Sequence, residues 1–400
     1  MLSPENNRIL TEVEGDAPMG RFMRQRHWVP CARSDGLEPG GPPQAIQLIG
    51  RKYVAFRAPD GRIGIFDEAC PHRGASLVLA RTEDCSLRCI FHGWRFDVSG
   101  KILEIPGEAA PSPVTIERES LRPYPNFEGG GLIWVFLGEG APPPRPPLPF
   151  LDLPRDQLWI TRSKAPCNWL QGVEATIDSI HVGVLHQSWM RNYQARGQTI
   201  GTSIENHPRY EVEDATWGVK AAAIRTLPDG RQYVRVTQYV LPFVSLVPGG
   251  STRMGSMFIS VPINNVSHLH FFGLWNEDGP CSADVARLYT EPRDIDNYVV
   301  LKADQPAWGQ DRAAMTGGHF SGFDKALLDE DMVVQASMGP VVDRSKEHLR
   351  ASDVGVVHAR RKLLEELAAF ELGEQAQADG KVVRPLDIVA EAGYAWRTDA

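Results

Sequence analysis

In the first third of the chain, short apolar runs alternate with clusters of Gly, Pro and Asp. Residues 46–49, 53–56 and 63–66 read as strands, with Pro59-Asp60-Gly61-Arg62 as the turn between the last two. Gly129-Gly130-Gly131 precedes a continuous apolar run, 132–137, of the kind that forms a buried strand. Residues 138–149 are so dense in proline that neither helix nor sheet can form, which predicts a stiff linker. Residues 169–189 then have helical character. Residues 216–223, 233–240, 253–261 and 268–275 read as successive antiparallel strands, with turns at Asp229-Gly230 and Gly249-Gly250. From about Asp294 the pattern is helical, over 294–301, 324–335 and 353–372, the last with Leu363, Leu364, Leu367 and Phe370 on one face. The first 25 residues are mixed and polar, a short helix and a lead-in. The whole pattern predicts an α+β protein. It divides into a lead-in at 1–25, an all-β domain at 26–140, a proline-rich linker at 141–155, and a second domain at 156–400 whose antiparallel sheet is flanked by helices.

Composition narrows the class. At 400 residues there is ample material for more than one core. Gly (37) and Pro (31) are in excess, in line with a strand-and-loop chain. A formal net charge of −8 argues against nucleic acid, which wants a basic stripe. No apolar run reaches the ~18 residues of a membrane span. The stretch from Met1 to Asn7 lacks the basic and apolar regions of a signal peptide, so the cytoplasm is the expected compartment.

Two of the six cysteines fall in the most informative pattern. Cys70-Pro71-His72 is followed by Cys89-Ile90-Phe91-His92, a C-x-H-x16-C-x2-H arrangement. Both halves sit on loops between the strand ending at Phe66 and one beginning at Trp94, with Gly93 as a tight turn and Trp94 as an aromatic lid. Two thiolates and two imidazoles can hold a [2Fe–2S] cluster, cysteines on one iron and histidines on the other. Neutral imidazoles remove negative charge and raise the potential, as an electron relay needs. A structural zinc site uses the same residue types. It groups cysteines and histidines as separate pairs, however, and here each half carries one of each. Cys31, Cys85, Cys167 and Cys281 read as buried small residues, Cys85 included, because the ligand set is already complete.

A second constellation, E-x3-D-x2-H-x4-H, runs from Glu174 through Asp178 and His181 to His186. Two neutral histidines and a carboxylate on one face of Fe(II) leave positions open for O₂ and substrate, the facial triad of non-heme oxygenases. Taken alone, H-x4-H reads more plainly as two unrelated polar histidines near a helix end. The upstream pattern tips the balance. Residues five apart on a regular helix point about 140° away from each other. Both histidines therefore reach one metal only from a distorted helix, and the distortion is expected near Gly183.

The strings C-P-H-R-G and C-x-x-H-G-W, with this second site, resemble the oxygenase component of Rieske non-heme iron aromatic-ring hydroxylases, from about Phe22 to about Leu364. The resemblance implies an N-terminal Rieske [2Fe–2S] domain with ligands Cys70, His72, Cys89 and His92, and a catalytic domain in which His181 and His186 bind a mononuclear Fe(II). It places the third ligand at Asp331, in a segment where Asp329 and Glu330 are the local competitors. It implies that Asp178 is a bridging carboxylate in a homotrimer, bonded to an iron histidine of its own subunit and to a cluster histidine of the next. Glu174, one turn before Asp178, adds a like charge that the iron would offset.

Met338 to Leu349, the helix from Asp353 and the Asn168-Trp169-x-Gln171 entry are similar to the phthalate dioxygenase branch. That likeness implies homotrimers, or hexamers of stacked trimers, supplied with electrons from NADH by a flavin and iron–sulfur reductase. The chain carries no G-x-G-x-x-G and no second cysteine cluster, so the reductase is expected to be another protein. Phe91 stands where the branch often has tyrosine, Pro262-Ile263-Asn264-Asn265 where it often has acidic residues, and Ala336 where it often has glutamate. The implied reaction is O₂-dependent dihydroxylation, or oxidative dealkylation or ether cleavage, of an aromatic carboxylate or aryl ether. A carboxylate substrate needs a cation in an apolar pocket. Arg235 and Arg253 are the candidates, followed by Lys220 and Arg225, each set against the reading of a solvated strand face. An electron-transfer protein without oxygenase activity would need only the first motif, and a zinc-stabilised binding module would be colourless.

Overall fold

The computed structural model describes residues 2–108, 110–195, 207–282, 298–299, 306–374 and 381–398. The chain forms two compact units, residues 20–146 and residues 1–19 with 147–400. The second crossing between units falls inside the expected linker. Of the expected lead-in at 1–25, residues 1–19 belong to the second unit. They contain α1 (Pro4–Thr11), N-capped by the Ser3 side chain, and the start of α2 (Pro18–Arg26).

The 20–146 unit contains β1 (Trp28–Arg33), β2 (Gln44–Leu48), β3 (Arg51–Arg57), β4 (Ile63–Asp67), β5 (Arg81–Glu83), β6 (Ser86–Arg88), β7 (Arg95–Asp97), β8 (Ile102–Glu104), β9 (Asn126–Gly129) and β10 (Leu132–Phe136). These pair as β1-β10-β9, β2-β3-β4 and β5-β6-β7-β8. The β3–β4 turn is held by the Arg62 backbone N–H donating to Asp60 Oδ1 at 3.1 Å, with Gly61 at φ +91°. Val54, Phe56, Phe66, Leu77, Leu87 and Phe96 form its core, and Cys70, Cys89 and Trp94 pack into the same cluster. Each such Phe or Leu contributes about 1.5–3 kcal/mol of burial. One short helix, α3 (Pro113–Glu119), capped by Ser112, matches no expected element.

The second unit is built on one sheet. Its strands are β11 (Leu158–Ala165), β12 (Arg209–Ala215), β13 (Gly218–Thr226), β14 (Gln232–Val240), β15 (Val244–Ser251), β16 (Met254–Asn264), β17 (Ser267–Asn276), β18 (Tyr298–Val299) and β19 (Leu386–Ala390). They run in the order β12-β13-β14-β15-β16-β17-β11-β18, with β19 on β14. Gln238–Val240 of β14 pairs with β15, while Gln232–Val236 pairs with β19. The registers Ser245↔Phe258, Phe258↔Phe272, Ser260↔His270 and Ser163↔His270 place these residues on one sheet face. Helix α4 (Trp169–Ile177) lies on that face, where Thr176 Oγ1 is 2.7 Å from Ser245 Oγ. The other face packs Ala222, Ile224, Val234 and Val236 against Leu386 and Trp396.

Three expectations need correction. The helical stretch 169–189 is not continuous but is divided into α4, α5 (Ile180–Val184) and α6 (Gln187–Ala195). Gly249-Gly250 is not a turn. It lies in β15 at a register irregularity, and the turn is at Thr252-Arg253. The helix expected at 294–301 falls outside the described residues except Tyr298–Val299, which pair in parallel with β11 as β18. Among the described residues three further helices follow, α7 (Arg312–Thr316), α8 (Leu327–Ser337) and α9 (Val354–Glu371), with Leu363 and Leu367 of α9 buried. Among the described residues no helix is long and apolar enough to cross a membrane.

Candidate metal centres

The cysteine–histidine set of the 20–146 unit lies on two loops of similar construction. In the first, the Gly74 N–H donates to the Cys70 carbonyl at 2.8 Å, and in the second the Gly93 N–H donates to the Cys89 carbonyl at 2.9 Å. Both glycines are left-handed, at φ +75° and +76°. A Cβ on Gly93 would meet Pro106 at 2.8 Å, so this tip tolerates no side chain. Arg88 braces the second loop by donating to the Gly93 carbonyl at 3.0 Å while pairing with Glu83 and Glu104. Both cysteines are buried. Burial and the neighbouring Cys89 thiol push the Cys70 thiol up to about 11. The His72 and His92 rings lie with centroids 4.4 Å apart, and Trp94 stacks on His72 at 4.9 Å.

Two buried sulfurs and two adjacent rings suit a cluster whose irons take different ligand types. One detail supports this fit. His92 Nδ1 is buried with no hydrogen-bond partner among the described residues, a costly state for a polar atom unless a metal takes it.

The second site forms where α4, α5, α6 and α8 converge. Asn168 caps α4 by accepting from the Leu170 N–H at 3.1 Å, and its Nδ2 donates to the carbonyls of Thr11 and Asn265. Gln171 Nε2 donates to the carbonyls of Gln335 and Gly339, locking α4 to the end of α8. Helix α4 ends at Asp178, whose Oδ1 accepts from the Ile180 N–H at 3.0 Å and whose Oδ2 accepts from the His181 N–H at 3.1 Å. Those contacts start α5. The next break comes at Leu185–His186, just beyond the expected Gly183. It rotates His186 back toward His181, and their ring centroids lie 5.2 Å apart.

Asp331 on α8 completes the group. Its Oδ1 lies 3.1 Å from His186 Nε2 and 3.6 Å from His181 Nε2. One ligand atom from each of the three residues lies within 4.8 Å of the others. Both Nδ1 atoms are already committed. His181 Nδ1 is 2.8 Å from Asp178 Oδ2, and His186 Nδ1 is 2.5 Å from Glu330 Oε2. A carboxylate behind each ring fixes its tautomer and leaves Nε2 for a metal. This donor set of two imidazoles and one carboxylate fits ferrous iron.

The charges are consistent with this geometry. Burial pushes the His186 imidazole down, but Asp331 and Glu330 outweigh it and hold it up at about 10. Burial raises the Asp331 carboxyl, yet His186 and His181 keep it below its usual range. Asp178 is likewise lowered against its burial, by His181 and two backbone N–H groups.

Two residues of the acidic run are therefore drawn in. Glu330 is fully buried, and its other oxygen accepts from Ser321 Oγ. Neighbours on a helix are rotated by about 100°, so Glu330 reaches the back of His186 while Asp331 reaches its front. Sequence reasoning treated Glu330 only as a competing ligand. The one signal for its actual place was its position beside Asp331.

Other expectations are displaced. Glu174 is offset not by iron but by two arginines. Arg344 Nε and Nη2 each lie 2.8 Å from its carboxylate, and Arg360 Nε lies 2.6 Å away. Arg253 is not in a pocket. It stands half exposed at the Thr252-Arg253 turn, paired with Asp278 at 2.5 Å. Arg235 is buried in β14, near Tyr233 and the Pro248 carbonyl, and is not among the residues grouped with the triad. Lys220 pairs with Glu213, and Arg225 is buried in β13.

The model of the Rieske [2Fe–2S] domain matches residues 27–125, and that of the LigXa C-terminal domain like family matches residues 136–394. The phthalate 4,5-dioxygenase oxygenase subunit of Pseudomonas putida is 35% identical over 100% of this chain and 97% of its own length. The 5,5'-dehydrodivanillate O-demethylase oxygenase subunit of Sphingobium sp. is 28% identical over 94% of this chain and 83% of its own. A crystal structure of dicamba monooxygenase bound to dicamba shares the fold, with a TM-score of 0.62 at 18% identity, covering 88% of this chain and 99% of that one. With both domain models matched and a full-length relative at this identity, the chain belongs to the oxygenase subunits of the Rieske non-heme iron oxygenases.

Proposed function

We propose that this chain hydroxylates or oxidatively dealkylates an aromatic carboxylate or aryl ether, with electrons drawn from NADH through a separate reductase. The observation that carries the reading is the triad His181, His186 and Asp331, with both Nδ1 atoms held by carboxylates, in the same chain as the Cys70, His72, Cys89 and His92 set. A pure electron carrier has no use for the triad.

When bound, a [2Fe–2S] cluster at Cys70, His72, Cys89 and His92 supplies single electrons, and Fe(II) at His181, His186 and Asp331 supplies the O₂ chemistry. The protein's own groups do the rest. Asp178 and Glu330 orient the two imidazoles so that both Nε2 atoms point to one locus. The apolar group Met190, Phe272, Leu327 and Leu328, with Phe258 and Val182 packed on it, offers a dry surface for a ring beside the triad. In a homotrimer, or a hexamer of stacked trimers, Asp178 would sit between an iron histidine of its own subunit and a cluster histidine of the next, orienting both rings and offering a short path between the two centres. Among the described residues its Oδ1 accepts one hydrogen bond, from the Ile180 N–H, and a carboxylate oxygen has a further lone pair to offer such a contact.

The test is oxygen uptake with NADH and a surrogate flavin and iron–sulfur reductase, across aromatic acids and aryl ethers. Uptake matched to product supports oxygenase function, and reduction of the cluster without substrate-dependent uptake overturns it. Asp178→Asn should keep both metal contents yet nearly stop coupled turnover. Normal turnover in that variant removes the bridging role.

A further inference from the structure

The covered face of the catalytic sheet carries two buried histidines on β17, His268 and His270. They differ in how they are satisfied. His268 Nδ1 is 2.8 Å from the Cys167 carbonyl, and its ring packs under α4, where a Cβ on Gly172 would come within 2.8 Å of Nε2. His270 is only 3% exposed, and both of its ring nitrogens are buried with no hydrogen-bond partner among the described residues. Leaving two such atoms unpaired is expensive, and native proteins rarely do it without a reason.

The position of His270 supplies the reason. Two residues along the same strand face, Phe272 packs with Met190, Leu327 and Leu328, the side chains around the iron helices. Phe258, diagonal to His270 on the neighbouring strand, has its ring centroid 6.0 Å away. Asp331 is near enough to act on His270 electrostatically, and it pulls the imidazole up while burial holds it down at about 4. A neutral imidazole has one N–H to donate and one nitrogen to accept. The described surroundings of His270 are thus the Phe258 and Phe272 rings, His268 along the strand, Ser260 and Ser163 opposite it on the neighbouring strands, and the Asp331 carboxylate nearby, and no described group takes its ring hydrogen bonds.

We propose that His270 anchors the substrate, donating a hydrogen bond to an acceptor oxygen, carboxylate or ether, on an aromatic ring that lies against Phe258 and Phe272 beside Asp331. This rests on the oxygenase reading above and sharpens its substrate class. The arginines expected from sequence lie elsewhere, and His270 takes over the polar anchor without burying a fixed cation next to the iron.

The experiment uses the full chain with cluster and iron loaded, and compares wild type with His270→Phe, which keeps an aromatic ring but no donor, and His270→Gln, which keeps an amide donor. Binding of benzoate, phthalate and anisole is measured by calorimetry against toluene, chlorobenzene and ethylbenzene, which carry no acceptor oxygen. In His270→Phe the affinity for oxygen-bearing rings should fall at least about tenfold, with the acceptor-free rings unchanged, and His270→Gln should recover part of the loss. Iron content and cluster absorbance should stay at wild-type values. Equal effects on both ring sets overturn the assignment, as does failure of every oxygen-bearing ring to bind wild type. In the latter case, uptake of O₂ with an acceptor-free ring leaves the oxygenase reading standing while the anchor falls.

Discussion

Glu330→Leu removes a buried carboxylate that touches no metal, and it should still loosen the iron. In the structure Glu330 is fully buried and accepts from His186 at 2.5 Å and from Ser321. Leucine of similar length leaves the His186 Nδ1–H facing an apolar side chain. An unmade hydrogen bond of a buried group costs about 1–3 kcal/mol. Losing the carboxylate behind a metal-bound histidine lowers metal affinity about 10–100-fold, or about 1.4–2.7 kcal/mol. The same carboxylate also favours the proton that iron must displace from His186, which trims the effect toward the lower end. Glu330→Gln keeps a neutral acceptor and should fall between Leu and wild type. The assay is anaerobic titration of iron-depleted protein with Fe(II) against a chelator of known affinity. Cluster absorbance serves as an internal reference, because its ligands belong to the other compact unit. If Glu330→Leu binds Fe(II) like wild type while His186→Ala does not, a carboxylate behind the ring has no part in holding the metal.

Gly93→Ala should destabilise the cluster loop by about 1–2 kcal/mol from its left-handed backbone alone, more with the Pro106 contact, and should be purified with depleted visible absorbance. His268, buried and neutral, is held down at about 3 against an unfolded value near 6.5, so its contribution is complete above pH 6.5 and is lost as pH falls toward 3. Going from pH 7.5 to pH 5 should cost wild type about 2 kcal/mol that His268→Gln does not lose, read from urea midpoints. A parallel decline in both proteins sinks that assignment. Removing one partner of the buried Arg344–Glu174 pair, as in Arg344→Met, should lower stability by about 3–5 kcal/mol in the same assay, whereas an exposed pair such as Arg253–Asp278 should cost under about 1 kcal/mol.

The strand pattern was legible wherever side chains alternate against one core, as in 53–56 and 233–240. The late strand β19 was missed because its pairing with β14 is long-range and an isolated five-residue run such as Leu386–Ala390 carries no period of its own, and the edge strand β12 was missed because it is mostly polar although it forms a tight hairpin with β13. The Cys70, His72, Cys89 and His92 set and the His181–His186 pair were legible because their types are rare and their spacing is local, whereas Asp331, far downstream, was placed by resemblance and not by spacing. His181 and His186 required a broken helix, and the break at Leu185–His186 is what that geometry demanded. Glu330 was not legible as a support for His186, since α8 is buried on several sides and an acidic residue in it looks like a solvent-facing one. His270 was unreadable for the opposite reason. Alternating histidines in a strand read as ordinary buried positions, and only the absence of a hydrogen-bond partner for both His270 ring nitrogens among the described residues marks it. Arg253 was placed on a pocket-lining strand because counting strand positions does not say where a hairpin ends, and it stands at the Thr252-Arg253 turn.

Because the chain begins in the unit that holds the triad, leaves it at residue 19 and returns at residue 147, the cluster-bearing segment is an insertion within the other body. A fragment cut at either expected border would strand α1 on the wrong piece. Asn168, which starts the iron helices, donates to the Thr11 carbonyl, so trimming the amino terminus or burdening it with a bulky tag would be felt first at the iron and last at the cluster.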